Sequence, residues 1–451
     1  MSPQRKPTHQ EDYRQGEAEL ARDICLGTCQ LPTANCKLPC MPFQAPRGTE
    51  DVLPSESYRW QWLEREFLDF AKLYGYAEIR TPTFEDKALF VRSSGETSEV
   101  VNKQMYDFVD KGGREIALKP EVTAPVVRAV IEHNLCPAGT VCRLSYVSPV
   151  YRYERPQKGR LREPHQVGLE LIGSPSVAAD AEIIVLTVEF YKRLGLKDLN
   201  VLLNSLGRAE CRKKYREALM AHASDWLKAQ PEENQQRTLK NPLRLLDSKA
   251  PEVLELMKSA PSILDFLEEE CKLRFDQLQC LLGEAGISYT VAPGIVRGLD
   301  YYTESVFEVQ STKLGAQSAL CGGGRYDDLF KELGAAPTPA VGVAMGIERA
   351  LMVLEEDGLL PPAPKPDYFV AYTGEDTRRE ALKIAAKLRA KGFATLMDID
   401  GKSLKSQMGQ ADKANVRKVV IIGENEMKDG TVTVRDLESG EQKSIPRGEL
   451  E

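Results

Sequence analysis

The sequence predicts an α+β protein with a helical insertion and a separate C-terminal α/β domain. Three observations support this prediction. Alternating apolar residues within 144–173 and 294–346 are typical of strands, residues 207–290 carry helical periodicity, and strand and helix patterns alternate after residue 367. With 451 residues, of which 42% are hydrophobic and 28% charged, the chain is long enough for several globular domains.

Domain boundaries follow from changes in composition along the chain. Residues 357–366 are rich in proline and glycine, so we interpret them as a linker. The predicted segments are a cysteine-containing extension (1–40), a first core part (41–206), the helical insertion (207–290), a second core part (291–356), the linker (357–366) and the C-terminal domain (367–451).

The first core part begins with a predicted amphipathic helix over residues 55–74, where large apolar residues recur at three- and four-residue steps. A short strand follows, and Pro82 ends it. The stretch "REIALKPEVTAPVVRAVIEH" then predicts a strand, a turn at Pro120 and a second helix.

Residues 144–173 predict two strands joined by a loop. Gln166 and Glu170 alternate onto one face of the second strand. Arg152 and Glu154 are two residues apart, so on a strand they would point to the same side. An arginine fork can clamp a phosphate, and a carboxylate can accept an amino hydrogen from a base. The alternative is a cross-strand ion pair on a solvated face.

The loop between these strands is basic. From Val141 to Arg162 there are six cations against one acid, although the whole chain carries a net charge of −7. Such a local cluster can attract a polyanion that the rest of the surface repels. The cations are Arg143, Arg152, Arg155, Lys158, Arg160 and Arg162.

A second polar cluster stands in "IVRGLDYYTESVFEV", where Arg297 precedes a carboxylate and two phenols. We interpret it as a binding site for a ligand that is anionic at one end and forms hydrogen bonds at the other. The alternative is a polar turn. Because side chains alternate along a strand, Tyr301 and Tyr302 are expected to point to opposite faces.

Two glycine-rich stretches follow. In "GVAMGIERAL", Arg349 stands at the start of a predicted helix, and Gly342 and Gly346 would let backbone approach closely; the alternative for Arg349 is a surface cation. In "CGGGRYDDL", a structural turn explains the three glycines about as well as a ligand-facing backbone does.

Ten cysteines in a chain of this size do not indicate a disulfide framework. Four of them have the spacing C-x3-C-x6-C-x3-C and could hold zinc, namely Cys25, Cys29, Cys36 and Cys40. The alternative is a disordered extension or an upstream start-site artefact, because Met41 begins "MPFQAPRGTEDVLP" like a natural start. Without a signal sequence or a long apolar run, we expect a cytoplasmic protein that does not enter membranes.

The ordered motifs resemble those of histidine–tRNA ligases, which are class II aminoacyl-tRNA synthetases. They are "RGTEDVLP", "KPEVTAP", "YRYERPQKGR", "HQVGLELIG", "NPLRLLDSK", "VRGLDYYTESVFE", "CGGGRYDDL", "GVAMGIERA" and "DGKSLKSQMGQADK". The resemblance implies a class II catalytic core with a six- to seven-stranded antiparallel sheet flanked by helices, interrupted by the helical insertion, plus a C-terminal α/β anticodon-binding domain. It also implies a homodimer built on the helix at 55–74; an ordinary intramolecular helix is the alternative.

The implied reaction is ATP-dependent activation of L-histidine to histidyl-adenylate, followed by transfer to the 3′ end of tRNA(His). For histidine, the resemblance implies contacts to the α-amino group and to the two imidazole nitrogens. The implied histidine-binding residues are Glu121, Val122, Thr123, Gln166, Glu170, Tyr301 and Tyr302. Neutral imidazole carries one donor and one acceptor, which Glu170 and Tyr302 together can satisfy.

For ATP, the resemblance implies Arg152 on the α-phosphate, Glu154 on the adenine and Arg349 on the γ-phosphate, with Mg²⁺ on the phosphates. Arg297 would join Arg152 as a catalytic residue, because a fixed guanidinium offsets the charge that builds up between the histidine carboxylate and the α-phosphate. The basic loop would contact the tRNA acceptor end through Arg155, Gln157, Lys158 and Arg160.

The chain departs from the family at several positions. Leu161 and Pro164 stand where the family commonly has aromatics, and the second of these usually stacks on adenine, so weaker ATP binding is expected. Lys119 and Lys402 stand where arginine is frequent.

Two other functions remain as alternatives. One is a non-catalytic, histidine-sensing paralogue that resembles the regulatory subunit of ATP phosphoribosyltransferase. The other is a class II synthetase for glycine, proline or threonine. The complete "VRGLDYYT" and the C-terminal domain argue against the first, and the pairing of Glu170 with Tyr302 argues against the second.

Overall fold

The computed structural model describes residues 43–450 except 96, 97, 99, 158, 247 and 249. The predicted zinc ligands and Lys158 therefore lie outside the described residues. Residues 43–46 contain no helix or strand, and the elements below lie in the unit that begins at Arg47.

Strands up to residue 346 form a large sheet and a small one. In chain order they are β1 (Ala77–Glu78), β2 (Phe84–Asp86), β3 (Tyr106–Val109), β4 (Glu115–Leu118), β5 (Cys142–Pro149), β6 (His165–Ile172), β7 (Leu199–Ser205), β8 (Tyr289–Val291), β9 (Ser305–Ser311), β10 (Ala319–Arg325) and β11 (Ala340–Gly346). The large sheet has eight strands in the order β1-β5-β6-β11-β10-β9-β7-β8, and the small sheet has the order β2-β4-β3.

The centre of the large sheet is antiparallel, as expected. Six strands from β5 to β7 pair in antiparallel fashion. The short strands β1 and β8 extend the two edges in parallel, which brings the sheet to eight strands where six to seven were expected. The α+β fold class is confirmed.

Helices of this part cover the sheet and fill the segment between β7 and β8. They are α1 (Ser57–Leu73), α2 (Lys87–Ser94), α3 (Thr123–His133), α4 (Val177–Arg193), α5 (Ala209–Lys228), α6 (Glu232–Lys240), α7 (Pro251–Met257), α8 (Glu269–Glu284), α9 (Leu329–Glu332) and α10 (Ile347–Glu356). Shorter turns are a π-helix at Val100–Gln104 and 3₁₀ helices at Pro242–Leu245, Ile263–Phe266 and Thr312–Gln317.

Helix α1 matches the predicted amphipathic helix. Its apolar side chains Leu63, Phe67 and Phe70 are buried in the chain's own core, where Phe67 and Phe70 contact Phe190 of α4. The apolar face that the periodicity predicted is thus buried in the protein's own core. This observation supports the intramolecular role of the helix and leaves its outer face open to other contacts.

The C-terminal domain has its own sheet and helices. The strands are β12 (Tyr368–Tyr372), β13 (Thr395–Met397), β14 (Lys418–Ile422), β15 (Thr431–Asp436) and β16 (Gln442–Pro446), and the helices are α11 (Glu375–Ala390), α12 (Leu404–Lys413) and α13 (Glu424–Asp429), followed by a 3₁₀ turn at Arg447–Glu449. In the order β13-β12-β14-β15-β16, the first three strands are parallel and the last two are antiparallel additions. Apolar clusters form on both faces of this sheet.

Two strand boundaries differ from the sequence prediction. Strand β5 ends at Pro149, so Arg152 and Glu154 lie in a loop, where Arg152 N donates to Arg162 O and Glu154 N donates to Arg152 O. Strand β9 begins only at Ser305, so Tyr301 and Tyr302 lie in the turn before it.

Candidate active site

A cavity of about 500 Å³ lies over the centre of the large sheet, beside the N-terminus of α3 and the first turn of α10. Most of the residues singled out from the sequence line it. They are Glu121, Val122, Thr123, Arg152, Glu154, Arg160, Gln166, Arg297, Tyr301, Tyr302 and Arg349. Of the remaining described candidates, Glu170 lies buried beneath the wall, and Arg155 and Gln157 are exposed on the basic loop.

Glu121 caps helix α3 at the edge of the cavity. Its carboxylate accepts hydrogen bonds from the backbone N–H of Thr123 at 2.7 Å and of Ala124 at 3.0 Å. The Tyr301 hydroxyl lies 3.5 Å from Glu121 Oε2. Burial raises the pKa of the Glu121 carboxyl, although these backbone donors and the nearby Arg152 oppose that shift.

Glu170 is fully buried on β6, behind the residues that line the cavity. Thr123 Oγ1 donates to Glu170 Oε1 at 2.8 Å, and the Tyr326 hydroxyl donates to Glu170 Oε2. Gly342 faces it from β11, where a Cβ would lie 1.8 Å from Glu170 Oε2. Burial raises the pKa of the Glu170 carboxyl to about 8 despite both hydroxyl donors, and the nearby Glu121 adds to the rise.

The side chain of Arg297 lies across β10, the strand that contains the three consecutive glycines. A Cβ at Gly322 would lie 2.1 Å from Arg297 Nη2, so only glycine leaves room for the guanidinium there. The stretch "CGGG" is therefore part of a strand and not a turn. Arg297 Nη1 donates to Glu308 Oε1 at 2.6 Å, while its buried Nε makes no hydrogen bond among the described residues.

The loop after β5 carries Arg152, Glu154 and Arg160. Arg152 Nε donates to the carbonyl of Pro120 at 2.7 Å, which points the guanidinium into the cavity, and burial lowers its pKa. Glu154 is buried and forms an ion pair with Arg160. The shared strand face expected for Arg152 and Glu154 was wrong, yet the loop brings both to the same cavity.

Arg349 lies in the first turn of α10, as the sequence predicted. Its Nε donates to Gly159 O at 3.1 Å and its Nη1 to Ala319 O at 2.7 Å, so it ties the basic loop to β10. Burial lowers its pKa, and Arg160 and Arg152 lower it further. The repulsion among these cations favours an anionic ligand between them.

Tyr301 and Tyr302 both line the cavity, so the expectation that they point to opposite faces was wrong. Their ring centroids are 4.8 Å apart. Strand alternation does not apply because the two residues lie in a turn. The Arg297 guanidinium carbon lies 6.0 Å from the centre of the Tyr302 ring.

Sequence reasoning missed several residues of the site. Glu308 holds Arg297, and its place among apolar residues in "SVFEVQ" was an available signal. Tyr146 lines the cavity, and Tyr326 binds Glu170 from below. The sequence offered no signal for Tyr146, whereas Tyr326 stands between Arg325 and Asp327 in the stretch "CGGGRYDDL".

Comparisons with known proteins agree with this geometry. A family model described as histidyl-tRNA synthetase matches residues 48–350, and an anticodon-binding domain model matches residues 367–451. The chain is 46% identical to a histidine–tRNA ligase of Thermoanaerobacter pseudethanolicus over 91% of this chain and 99% of that protein. It is 47% identical to one of Synechocystis over 90% of this chain and 91% of that one.

A solved structure is also similar. The apo histidyl-tRNA synthetase of S. aureus superposes with a TM-score of 0.76 at 35% identity, over 90% of this chain and 97% of that chain.

Proposed function

Because this chain belongs to the histidyl-tRNA synthetase family and is therefore a class II enzyme that joins histidine to tRNA, we propose that the cavity over the large sheet is where histidine and ATP react. The observation that carries the proposal is that Arg152 and Arg297 line the same cavity as Thr123, whose hydroxyl donates to the buried Glu170. Cationic groups that can bind phosphate and carboxylate thus lie beside polar groups that can form hydrogen bonds with an imidazole.

The amino acid binds at the end of the cavity near helix α3. Glu121 and Gln166 receive the α-amino group, with Thr123 and Val122 shaping the same corner. Glu170 and Tyr302 address the imidazole, with Tyr301 packed against Tyr302. An amino acid that cannot pair with these buried groups leaves them unsatisfied, which discriminates strongly against it.

ATP binds at the opposite end. Arg152 holds the α-phosphate, Arg349 holds the γ-phosphate and Glu154 accepts the adenine amino hydrogen. Glu154 pairs with Arg160 through Oε2, so its carboxylate can keep that ion pair while its other oxygen accepts the adenine amino hydrogen.

The first chemical step is adenylation. A carboxylate oxygen of histidine attacks the α-phosphorus, a new P–O bond forms, and the bond to pyrophosphate breaks. Arg297 offsets the charge shared by the carboxylate and the α-phosphate, and Glu308 holds that guanidinium in place before the substrates arrive. In the second step a ribose hydroxyl at the 3′ end of tRNA attacks the histidyl carbonyl, and AMP leaves.

Mg²⁺ accompanies the ATP phosphates in this proposal and shields their charge. Among the residues that the structure describes, no group of three or more His, Cys, Asp or Glu side chains is arranged to hold a metal ion. Glu308, which binds Arg297, and Glu348, which binds His165, line the cavity and would be the carboxylates to hold a phosphate-bound ion. The Cys25–Cys40 zinc hypothesis falls outside the described residues.

The tRNA partner is supported by the anticodon-binding domain at residues 367–451. The exposed Arg155 and Gln157, with Lys158 beside them in the sequence, would contact the acceptor end. We further propose a cytoplasmic homodimer. No helix in the described part of the chain is long and apolar enough to cross a bilayer.

A histidine-sensing paralogue without tRNA charging is not favoured. The curated relatives above are histidine–tRNA ligases that this chain matches over nearly their whole length. The C-terminal domain, which such a regulator does not need, is present.

Histidine-dependent exchange between pyrophosphate and ATP tests the proposal without tRNA. We expect robust exchange by the wild type and a loss of about 100- to 1,000-fold in Arg297→Ala, the effect typical of removing one group that stabilises transition-state charge. Arg297→Lys keeps the charge but loses the fork, so it should fall between them. Equal exchange rates in wild type and Arg297→Ala would refute the assigned role.

A further inference from the structure

The helical insertion begins beside the two adjacent tyrosines of the candidate site. Helix α5 starts just after β7, which pairs with β9 in antiparallel fashion. The backbone N–H of Leu206 also donates to Glu304 O at 2.7 Å. The first turn of α5 therefore lies next to the turn that brings Tyr301 and Tyr302 into the cavity.

One side chain of α5 contacts that turn directly. Arg212 lies in the first turn of the helix and is partly buried. Its Nη1 donates to the carbonyl of Tyr302 at 3.0 Å and to that of Gly207 at 3.2 Å. The same guanidinium thus connects the start of the insertion with the backbone of a proposed histidine-binding residue.

The carbonyl of Tyr302 depends on this donor. Tyr302 is 7% exposed, so its backbone has little access to water, and among the described residues the donor to its carbonyl is Arg212. A buried carbonyl that loses its donor is costly, and the peptide then shifts to recover a partner. Because the ring of Tyr302 lines the cavity, such a shift would move the ring relative to the amino acid.

A second cavity lies between the insertion and this turn. It has a volume of about 370 Å³ and is lined by Arg212, Arg216 and Asn241 of the insertion, and by residues 296–300 and Tyr302 of the catalytic part. Open space, and not packed side chains, thus lies against this side of the turn. The hydrogen bond from Arg212 bridges the two parts where packing does not.

The chain just after Tyr302 is fixed independently of Arg212. Glu304 is buried, and its carboxylate accepts hydrogen bonds from Arg208 at 2.9 Å and from Arg274 at 2.5 Å. These two ion pairs hold the start of β9 against the insertion. Loss of the Arg212 contact should therefore displace the Tyr302 peptide locally and leave the strand in place.

We propose that Arg212 is a positioning residue for histidine binding, which fixes the backbone of Tyr302 from the helical insertion. This inference rests on the proposed function, since it concerns the histidine end of the cavity. Arg212 is not among the described residues that line that cavity, so it acts through Tyr302 and not on a substrate. Arg152 and Arg349, which we assign to the ATP phosphates, lie on the loop after β5 and on α10, away from this contact.

The test uses Arg212→Met in the full chain, which removes the guanidinium and keeps most of the apolar stem. We expect kcat/KM for histidine in pyrophosphate exchange to fall by about 10-fold, mainly through KM, with the KM for ATP within about twofold of the wild type. Arg212→Lys keeps a charged donor and should recover part of the loss. A merely structural role would change the KM values for histidine and ATP alike.

Arg216→Met is the matched control. Arg216 lies one turn later on α5 and lines the same second cavity, but it is exposed and is not a donor to Tyr302 among the described residues. The control removes the same charge from the same helix, so it should leave both KM values unchanged.

A double-mutant cycle with Tyr302→Phe shows whether Arg212 acts through this residue. If it does, Arg212→Met should cost less than about threefold once the Tyr302 hydroxyl is absent, because coupled changes are not additive. An unchanged histidine KM in Arg212→Met, an equal loss in Arg216→Met, or an undiminished loss on the Tyr302→Phe background would overturn the inference. Absence of histidine-dependent exchange in the wild type would instead refute the proposed function.

Discussion

Two buried carboxylates, one in each part of the molecule, behave in opposite ways. Glu170 beneath the catalytic cavity is fully buried, and burial raises its pKa to about 8. Asp398 follows β13 in the C-terminal domain and is 1% exposed, yet its pKa is lowered. Burial alone raises the pKa of an acid, so the difference lies in the partners.

Asp398 receives donors that suit a charged carboxylate. Gln410 Nε2 donates to it at 2.7 Å, the backbone N–H of Lys402 at 2.8 Å and the Tyr372 hydroxyl at 3.3 Å. Among the described residues, Glu170 has two hydroxyl donors and a second carboxylate, Glu121, nearby. In the C-terminal domain, Asp398 connects several segments through its hydrogen bonds. In the catalytic part, Glu170 has few donors and lies beside the proposed ligand site.

The largest expected effect concerns the space for Arg297. In Gly322→Ala the new methyl would lie 2.1 Å from Arg297 Nη2 and displace the guanidinium. Because a displacement of about 1 Å at a reacting centre can cost about 100-fold, we expect at least that loss in pyrophosphate exchange. Steady-state kinetics with circular dichroism as a fold check measure it.

Gly409→Ala, the same substitution in the C-terminal domain, is the matched control for Gly322→Ala. Gly409 lies within helix α12, and a Cβ there would have no described atom within 4 Å apart from its own helix backbone and chain neighbours, so alanine should leave exchange unchanged and stabilise the helix slightly. Comparable exchange in Gly322→Ala and wild type would contradict the role of the glycine strand.

The next effect is the stability supplied by Asp398. In Asp398→Ala the Gln410 amide and the Lys402 N–H lose their acceptor, whereas the Tyr372 hydroxyl keeps the backbone oxygen of residue 398 at 3.2 Å, so the free energy of unfolding at pH 7 should fall by about 1–3 kcal/mol. Because the folded-state pKa is lowered, this stabilisation exists above the unfolded pKa of about 4 and is lost as pH falls through the folded value. Urea unfolding at pH 7 and pH 3 should therefore show a smaller difference from wild type at pH 3, with exchange unaffected.

Glu170 should show the opposite pH dependence. Its folded-state pKa of about 8 exceeds the unfolded value, so the folded protein holds the proton between about pH 4 and 8 and loses stability as pH rises through that range. The slope is at most about 1.4 kcal/mol per pH unit. Glu170→Gln has no proton to lose and should flatten the wild-type decline between pH 6 and pH 8.

An exposed carboxylate gives the control for this slope. Glu356→Gln at the end of α10 should keep the wild-type dependence on pH. If Glu170→Gln declines as steeply as wild type, then Glu170 is ionised at neutral pH and the contrast with Asp398 disappears.

The same two regions differ in how far the sequence predicted them. In the C-terminal domain, and in α1, β5 and β6, periodicity was enough because each element buries one apolar face against its neighbours. The residue types of the candidate site were also recognisable, since an arginine or carboxylate among apolar residues stands out within a motif.

The arrangement of the site was not predictable from single segments. Gly168, Gly322 and Gly342 each leave room for a side chain from another segment, namely Tyr146, Arg297 and Glu170. Such pairings depend on strand register between distant parts of the chain. The strand assumed for Arg152 failed for a related reason, because β5 ends at Pro149 and the backbone N–H of Tyr151 then bonds to Lys119 O in another segment of the chain.

The smallest expected effect concerns adenine. Pro164 lines the cavity where the resemblance implies a stacking aromatic, and its carbonyl accepts a hydrogen bond from Val150 N that any residue could keep. Pro164→Phe adds a π-face at that position, and stacking is worth on the order of 1–3 kcal/mol per base in favourable cases. At the low end of that range, the dissociation constant for ATP should fall by about fivefold, measurable by calorimetry without histidine. Leu161→Phe, on the same wall but without the implied stacking role, is the matched control and should change ATP affinity less. If neither substitution tightens ATP binding, the proline already supplies the apolar contact that adenine needs, and this departure from the family has no energetic consequence.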